Sequence, residues 1–219
     1  TAPGTDYRAA LARAQGLPDR MARSLGLASA MIAWLDRDLE AALAYVRESR
    51  RAGQGTEGRR LVLNYVAKTD PDRALALAGE LAVTREERSF YNEFFDRLAK
   101  RDLPAALGRL VQVPAGESRA NALRAVADVW ATADRSAALA WAQRLEPAER
   151  AVAVESVLVA FVAEDPLRAM QLAQENLSGP PLYRTLTAAL QKLAPTDPAA
   201  AGAIVDALDA AALAESVLD

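Results

Sequence analysis

Acid–base and nucleophilic catalysis need reactive side chains, and this sequence offers few of them. None of its 219 residues is Cys or His, which excludes disulfides, thiol nucleophiles, Cys/His zinc sites and imidazole catalysis. The carboxylates of Glu86 and Glu87, or of Glu93 and Asp96, could form an acid/base pair, but nothing in the sequence marks a pocket around them. A Gly-rich phosphate loop is also absent. We therefore expect a protein that is not an enzyme and that uses no metal or cofactor.

Polar side chains that recur at a constant spacing in the sequence form the candidate binding site. The first row is Arg60, Asn92 and Arg124, the second row follows it by four residues as Asn64, Asp96 and Asp128, and Asn121 completes the partner-binding set. Residues four apart adjoin on one face of a helix, so the two rows would share a surface. This surface could hold the backbone or carboxylates of a partner. The alternative is an ordinary solvated face with weak pairs four residues apart.

The aromatic side chains allow a second kind of site. Trp34 and Trp130 fall in an apolar pattern and are expected in the core, whereas Trp141 occupies a mixed pattern and could touch a partner. The segment 84–100 concentrates four aromatic residues, Phe90, Tyr91, Phe94 and Phe95. It predicts either a bulky core helix or an aromatic contact surface.

An internal repeat supplies the elements that would position these residues. Seven aspartates mark it, namely Asp6, Asp38, Asp70, Asp102, Asp134, Asp165 and Asp197, and successive residue numbers differ by 32 in every step except one, where they differ by 31. An alanine stands four residues after every one of them, and a leucine or methionine stands five residues after all but the last. Recurring residue types at three aligned positions over seven copies are strong evidence of an internal repeat.

Each aspartate is predicted to begin one helix, here named helix B. Its carboxylate can accept from the free amides of the first turn. Proline follows in Asp70-Pro71, Asp165-Pro166 and Asp197-Pro198, where its missing N–H costs nothing. Apolar residues four, five and eight positions after the aspartate would form the buried face.

A second helix, named helix A, is predicted before each aspartate. Large apolar residues lie mostly 4, 7 and 11 positions upstream, with Arg59 and Ala127 as the exceptions, and this spacing forms one helical stripe. We expect helix A to have about 13 to 16 residues and to be joined to helix B by three or four residues. Thr84 with Glu87 predicts a capping box, and Pro147 a first helical residue.

The pattern predicts an all-α fold: an α-solenoid of about six helix pairs, each about 31–32 residues long, as a single domain over positions 1–219. The array would begin with a lone helix B at Asp6 and end with the start of another helix A in residues 209–218, a half repeat at each end. Such ends must be capped or remain apolar. We expect an apolar patch at the C-terminal helices, and with it a possible homodimer.

The paired helices, with small residues in helix B and a large apolar residue in helix A, resemble tetratricopeptide repeats, and the Asp-Pro and Ala-Leu blocks resemble short HEAT-like repeats. The likeness covers most of the chain, although the tetratricopeptide unit is longer, at about 34 residues, and has a Gly and Tyr in helix A that are missing here. It implies a scaffold that binds proteins or peptides. Asn92 and Arg124 resemble the carboxylate clamp of such domains, without the lysines of that clamp.

Composition restricts the partner. The net charge is −3, which gives no electrostatic reason to expect nucleic acid, and no apolar run is long enough to span a membrane. We therefore expect a protein or peptide partner. Abundant Ala, and Arg in place of Lys, suggest a bacterial source. The first residue is Thr1 instead of Met, which favours an exported, periplasmic protein over a cytoplasmic one. The rival role is a structural segment of a longer solenoid that stacks or oligomerises through its ends.

Overall fold

The computed structural model describes residues 6–51, 56–81 and 85–205, and within them the protein is entirely helical. The α-helices are α1 (Tyr7–Gln15), α2 (Arg20–Arg37), α3 (Leu39–Arg51), α4 (Thr56–Thr69), α5 (Pro71–Leu81), α6 (Arg85–Arg101), α7 (Leu103–Arg109), α8 (Glu117–Ala133), α9 (Arg135–Ala142), α10 (Pro147–Glu164), α11 (Pro166–Asn176) and α12 (Gly179–Leu193). A 3₁₀ turn, Leu110–Gln112, follows α7, and residues 198–205 are again helical. No strand occurs in these ranges, which confirms the all-α prediction for them. The even-numbered helices are the A helices and the odd-numbered ones the B helices.

The repeated aspartate joins each A helix to its B helix. In all seven copies one carboxylate oxygen accepts from the backbone N–H three residues later, at 2.9–3.0 Å. In the six copies with an A helix, the aspartate's own N–H also donates to the carbonyl four residues earlier, at 2.7–2.8 Å. The residue therefore ends one helix and begins the next.

This double role corrects the predicted link. In five of the six pairs the aspartate is the only residue between the two helices, for example Asp38 between α2 and α3, where we expected three or four residues. The A helices also extend to 18 residues, beyond the expected length. Pro147 begins α10 as predicted, whereas the proposed capping box at Thr84 lies outside the described residues.

The chain divides into two compact units. The first comprises Thr1–Arg97 with Gly108–Asn121, and the second comprises Leu98–Leu107 with Ala122–Asp219. In the first unit α2 packs on α1, α3 and α4, and α4 packs on α3 and α5. In the second unit α10 packs on α9, α11 and α12, and α11 packs on α12. The single solenoid domain over 1–219 stays a prediction.

The predicted apolar columns form the core of both units. Tyr91, Phe95, Leu123 and Leu158 from the A helices are at most 1% exposed, and most alanines four residues after the aspartate are fully buried. Arg59, the charged exception in the A stripe, is also buried. In the C-terminal copy two residues at these positions are exposed, namely Gly202 and Val205.

Polar contacts join one B helix of the first unit to the next at equivalent repeat positions. Arg8 forms an ion pair with Glu48 at 2.8 Å and lies over the Tyr45 ring at 5.4 Å, and Asp72, at the position of Arg8, accepts from Arg109 at 2.8 Å and from Gln112 at 3.3 Å. The charge is reversed between the two sets, yet the positions within the repeat are the same. Arg47 on α3 and Glu80 on α5 form a further ion pair at 2.6 Å, in which Arg47 lies at another repeat position. The first two sets of contacts therefore share one register.

Candidate functional site

The predicted polar rows lie on the A helices α4, α6 and α8. Arg60, Asn92, Arg124 and Asp128 are exposed, and Asn64, Asp96 and Asn121 are half-buried. Of these seven residues, the five from Arg60 to Asn121 belong to the first unit, whereas Arg124 and Asp128 belong to the second. The structure therefore gathers Arg60, Asn64, Asn92 and Asp96 on two A helices of the first unit, whereas Asn121, Arg124 and Asp128 lie on α8.

Hydrogen bonds cross from one A helix to the next on this face in the first unit. The Tyr65 hydroxyl on α4 donates to Asp36 on α2 at 2.7 Å, and Arg97 on α6 donates to the Asn64 amide oxygen on α4 at 2.8 Å. The hydrogen bond to Asp36, followed by burial and the negative charge of Asp36, raises the pKa of Tyr65. We name the exposed surface of α2, α4 and α6 that carries these side chains the A face.

Asn64 accepts from Arg97 on the following A helix. In the alternative of an ordinary solvated face, its partner would be Arg60, four residues before it. Arg97 stands 33 positions after Asn64, one more than the usual step between repeats. A search for complementary polar residues at about one repeat spacing would have found this pair.

The second unit has a corresponding link between A helices. Arg184 on α12 donates through two nitrogens to the carboxylate of Glu155 on α10, at 2.6 and 2.9 Å. Glu155 occupies the repeat position of Arg60 and Asn92. The hydrogen bonds to Glu155, reinforced by its charge, raise the pKa of Arg184. Here the row position serves contact between helices of the protein itself.

The A face changes from apolar to polar along the first unit. On α2 the two row positions are Ala28 and Ile32, and Ile32 is 43% exposed. Leu25 is 65% exposed and Met21 is 72% exposed, both nearer the start of the helix. The equivalents of Ala28 on α4 and α6 are Arg60 and Asn92. The face can therefore offer apolar contact at one end and hydrogen bonds at the other.

The aromatic residues are part of the core. Phe90, Tyr91, Phe94 and Phe95 are at most 3% exposed, and neighbouring rings in this helix lie 5.2–5.5 Å apart. Of the two explanations for this segment, the bulky core helix is the one that the burial supports.

The tryptophans pack with other rings. Trp34 is stacked on Tyr7, with ring centroids 5.6 Å apart, and lies 5.3 Å from Tyr45. Trp141, the tryptophan considered for partner contact, is half-buried and packs on Trp130 at 5.5 Å. This ring contact accounts for the burial of one part of Trp141.

An apolar cleft lies among the first four helices, away from the polar rows. Its cavity volume is about 50 Å³, and its lining is apolar except for Gln15, Ser49 and the hydroxyl of Tyr45. No carboxylate or guanidinium lines the cleft, so it brings together no charged groups. It offers a place for an apolar group and no acid–base pair.

In the described parts of the chain, no group of three or more Asp or Glu side chains could hold a metal ion. No helix in these parts is long and apolar enough to cross a bilayer. Comparison of the chain with protein-family models, curated proteins and solved structures gives no match. The resemblance to tetratricopeptide and HEAT-like repeats therefore rests on the residue pattern alone.

Proposed function

We propose that the protein is a non-enzymatic helical-repeat scaffold of the tetratricopeptide-like kind, which binds a protein or peptide through its A helices. Its architecture would be a solenoid of about six helix pairs, with a half repeat at each end. The recurrence of equivalent contacts one repeat apart supports this architecture. In the first unit these are the polar contacts between successive B helices. In the second unit, Gln143 donates at 2.8 Å to Asn176, 33 positions later.

A single observation carries the assignment of the binding surface. The polar rows of the A helices keep long, hydrogen-bonding side chains in solvent, with Arg60, Asn92 and Arg124 all exposed. The B helices differ. Their exposed position six residues after the aspartate is Ala or Gly in six of the seven repeats. Arginine and asparagine supply the donors that recognise carboxylates and peptide backbone.

The test is a quantitative pull-down from bacterial lysate with the full chain. The variant Arg60→Ala/Asn92→Ala/Arg124→Ala should lose the captured partner by at least ~10-fold, because truncating a charged hydrogen bond at an interface costs about 1.5–3 kcal/mol. The matched control is Arg101→Ala/Arg144→Ala/Gln174→Ala, which also removes two exposed guanidiniums and one amide. Equal capture by both triple variants would show that the polar rows do not bind.

The rival role, a structural segment that associates through its own surfaces, is favoured by a different observation. The exposed Ile32 of α2 has the polar equivalents Asn64 on α4 and Asp96 on α6, so this exposed apolar side chain is not explained by the repeat pattern.

A further inference from the structure

The apolar cleft among α1, α2, α3 and α4 lies beside two small residues. Ser49 stands near the end of α3 and Gly58 near the start of α4, and both line the cleft. At the same two repeat positions, 32 residues later, stand Leu81 and Phe90, which are 0% and 1% exposed. The cleft therefore occurs where the next repeat has two large buried side chains.

The preceding repeat shows which side chain is missing. Gly26 stands 32 residues before Gly58, and Leu17 stands 32 residues before Ser49. A Cβ atom placed on Gly26 would lie 3.6 Å from the side chain of Leu17, whereas the nearest described side chain to a Cβ atom on Gly58 is that of Met31, at 3.3 Å. A leucine thus packs beside the glycine in one repeat, and a serine in the next leaves the space open.

The size of the cleft agrees with a leucine side chain. Its volume is about 50 Å³, and at roughly 10–15 Å³ for each water-sized group it has room for about four such groups. The isobutyl group of leucine has four carbons. Burying four carbons strengthens binding by roughly 200-fold, so a free four-carbon molecule would have a dissociation constant of about 5 mM. A group of this size binds tightly only as part of a larger molecule.

The polar groups of the lining indicate what that larger molecule is. Gln15 is exposed, and Tyr45 and Ser49 are half-buried. Their amide and hydroxyl groups can donate to and accept from a peptide backbone. Among the described residues, no guanidinium or ammonium lines the cleft, so the carboxylate of a fatty acid would find no cation there.

We propose that the cleft binds a leucine side chain of a peptide or protein partner. This side chain takes the place that Leu17 and Leu81 occupy in the neighbouring repeats, and it adds an apolar anchor away from the polar rows. The inference rests on the proposed function only in that the partner is a protein or peptide.

Methyl NMR on the full chain, labelled with ¹³C at the methionine methyl groups, tests the cleft. Of the three methionines, Met31 lines the cleft, Met21 is 72% exposed, and Met170 belongs to the second unit. N-acetyl-leucinamide should shift the Met31 resonance with a dissociation constant of about 5 mM, without a saturable shift at Met21 or Met170. N-acetyl-alaninamide lacks three of the four carbons and should bind at least ~10-fold more weakly.

Ser49→Leu supplies the missing side chain from the chain itself. It should abolish the Met31 shift and raise the urea midpoint, because it fills the cavity. The matched control is Ala44→Leu, at an exposed position of the same helix, which should leave both measurements unchanged. Should Ser49→Leu impair folding by circular dichroism, Gly58→Ala replaces it, because it adds a methyl group to the cleft wall beside the flexible end of Met31.

The rival results are distinct. A Met31 resonance that does not respond in the wild type, or equal binding of N-acetyl-alaninamide, overturns the proposal. Unchanged binding in Ser49→Leu does the same, and tighter binding of octanoate would assign the cleft to an acyl chain instead. The triple variant of the polar rows should bind N-acetyl-leucinamide like the wild type, so failure of the polar rows as a partner site and failure of the leucine site give different results.

Discussion

The repeated aspartate makes a quantitative prediction at Asp134, between α8 and α9. Its carboxylate accepts from the N–H of Ala137 at 2.9 Å, and its own N–H donates to the carbonyl of Trp130 at 2.8 Å. Asp134→Ala removes the first bond and keeps the second, because the second uses only backbone atoms. Loss of an N-cap acceptor costs about 1 kcal/mol, within a range of about 0.5–2. We expect a value near the middle, since α9 has only eight residues and its first turn is a large part of it.

Urea denaturation followed by tryptophan fluorescence measures this cost. Trp130 and Trp141 lie beside Asp134 in the same unit and report on its unfolding. With a slope of about 2–3 kcal/mol per molar urea, the midpoint should fall by about 0.3–0.5 M. Asp134→Asn keeps a cap acceptor and should lose only a few tenths of a kcal/mol. A midpoint that does not move in Asp134→Ala, or that moves equally in Asp134→Asn, would refute the capping role.

Two further predictions concern packing and pH. Trp34→Ala should destabilise the protein by about 3–5 kcal/mol, because Trp34 is 7% exposed between two tyrosine rings. Trp130→Ala should cost less, because Trp130 is half-buried. Equal urea midpoints for the two variants would contradict this ranking. Hydrogen bonds from Arg109, and then from Gln112, lower the pKa of Asp72, so the ion pair stabilises the fold above the unfolded-state pKa and is lost as pH falls through the folded-state value. An NMR titration should show a lower Asp72 pKa in the wild type than in Arg109→Ala, and identical values would contradict the pairing.

The sequence allowed the helices to be predicted better than the contacts between them. The aspartate register predicted all seven caps, because a cap is a local interaction over three residues. It did not predict that one residue alone separates helix A from helix B. The apolar stripes do not show that Asp38 both ends the first helix and begins the second. Burial of Arg59 was also missed, because a charged residue within an apolar stripe suggests an exposed break in it.

The polar contacts between successive B helices were not predicted, for a different reason. Arg8 and Asp72 occupy the same repeat position with opposite charge, so an alignment of the repeats shows no shared residue type there. Their role appears only when each is compared with the following helix. Arg97, the partner of Asn64, was missed in the same way. A contact between neighbouring repeats depends on the residues at two repeat positions. The residue types at one position alone do not reveal it.

Site-specific photo-crosslinking tests most directly the central claim, that the A helices bind the partner. A benzophenone amino acid would replace exposed Asn92 and Arg124 on the A helices, and exposed Ala76 and Ala140 on the B helices, in four separate full-length proteins. After irradiation in bacterial lysate, we expect the same partner to be covalently attached at Asn92 and Arg124 and absent at Ala76 and Ala140. Attachment at Ala76 and Ala140 without attachment at Asn92 and Arg124 would contradict the proposed binding surface.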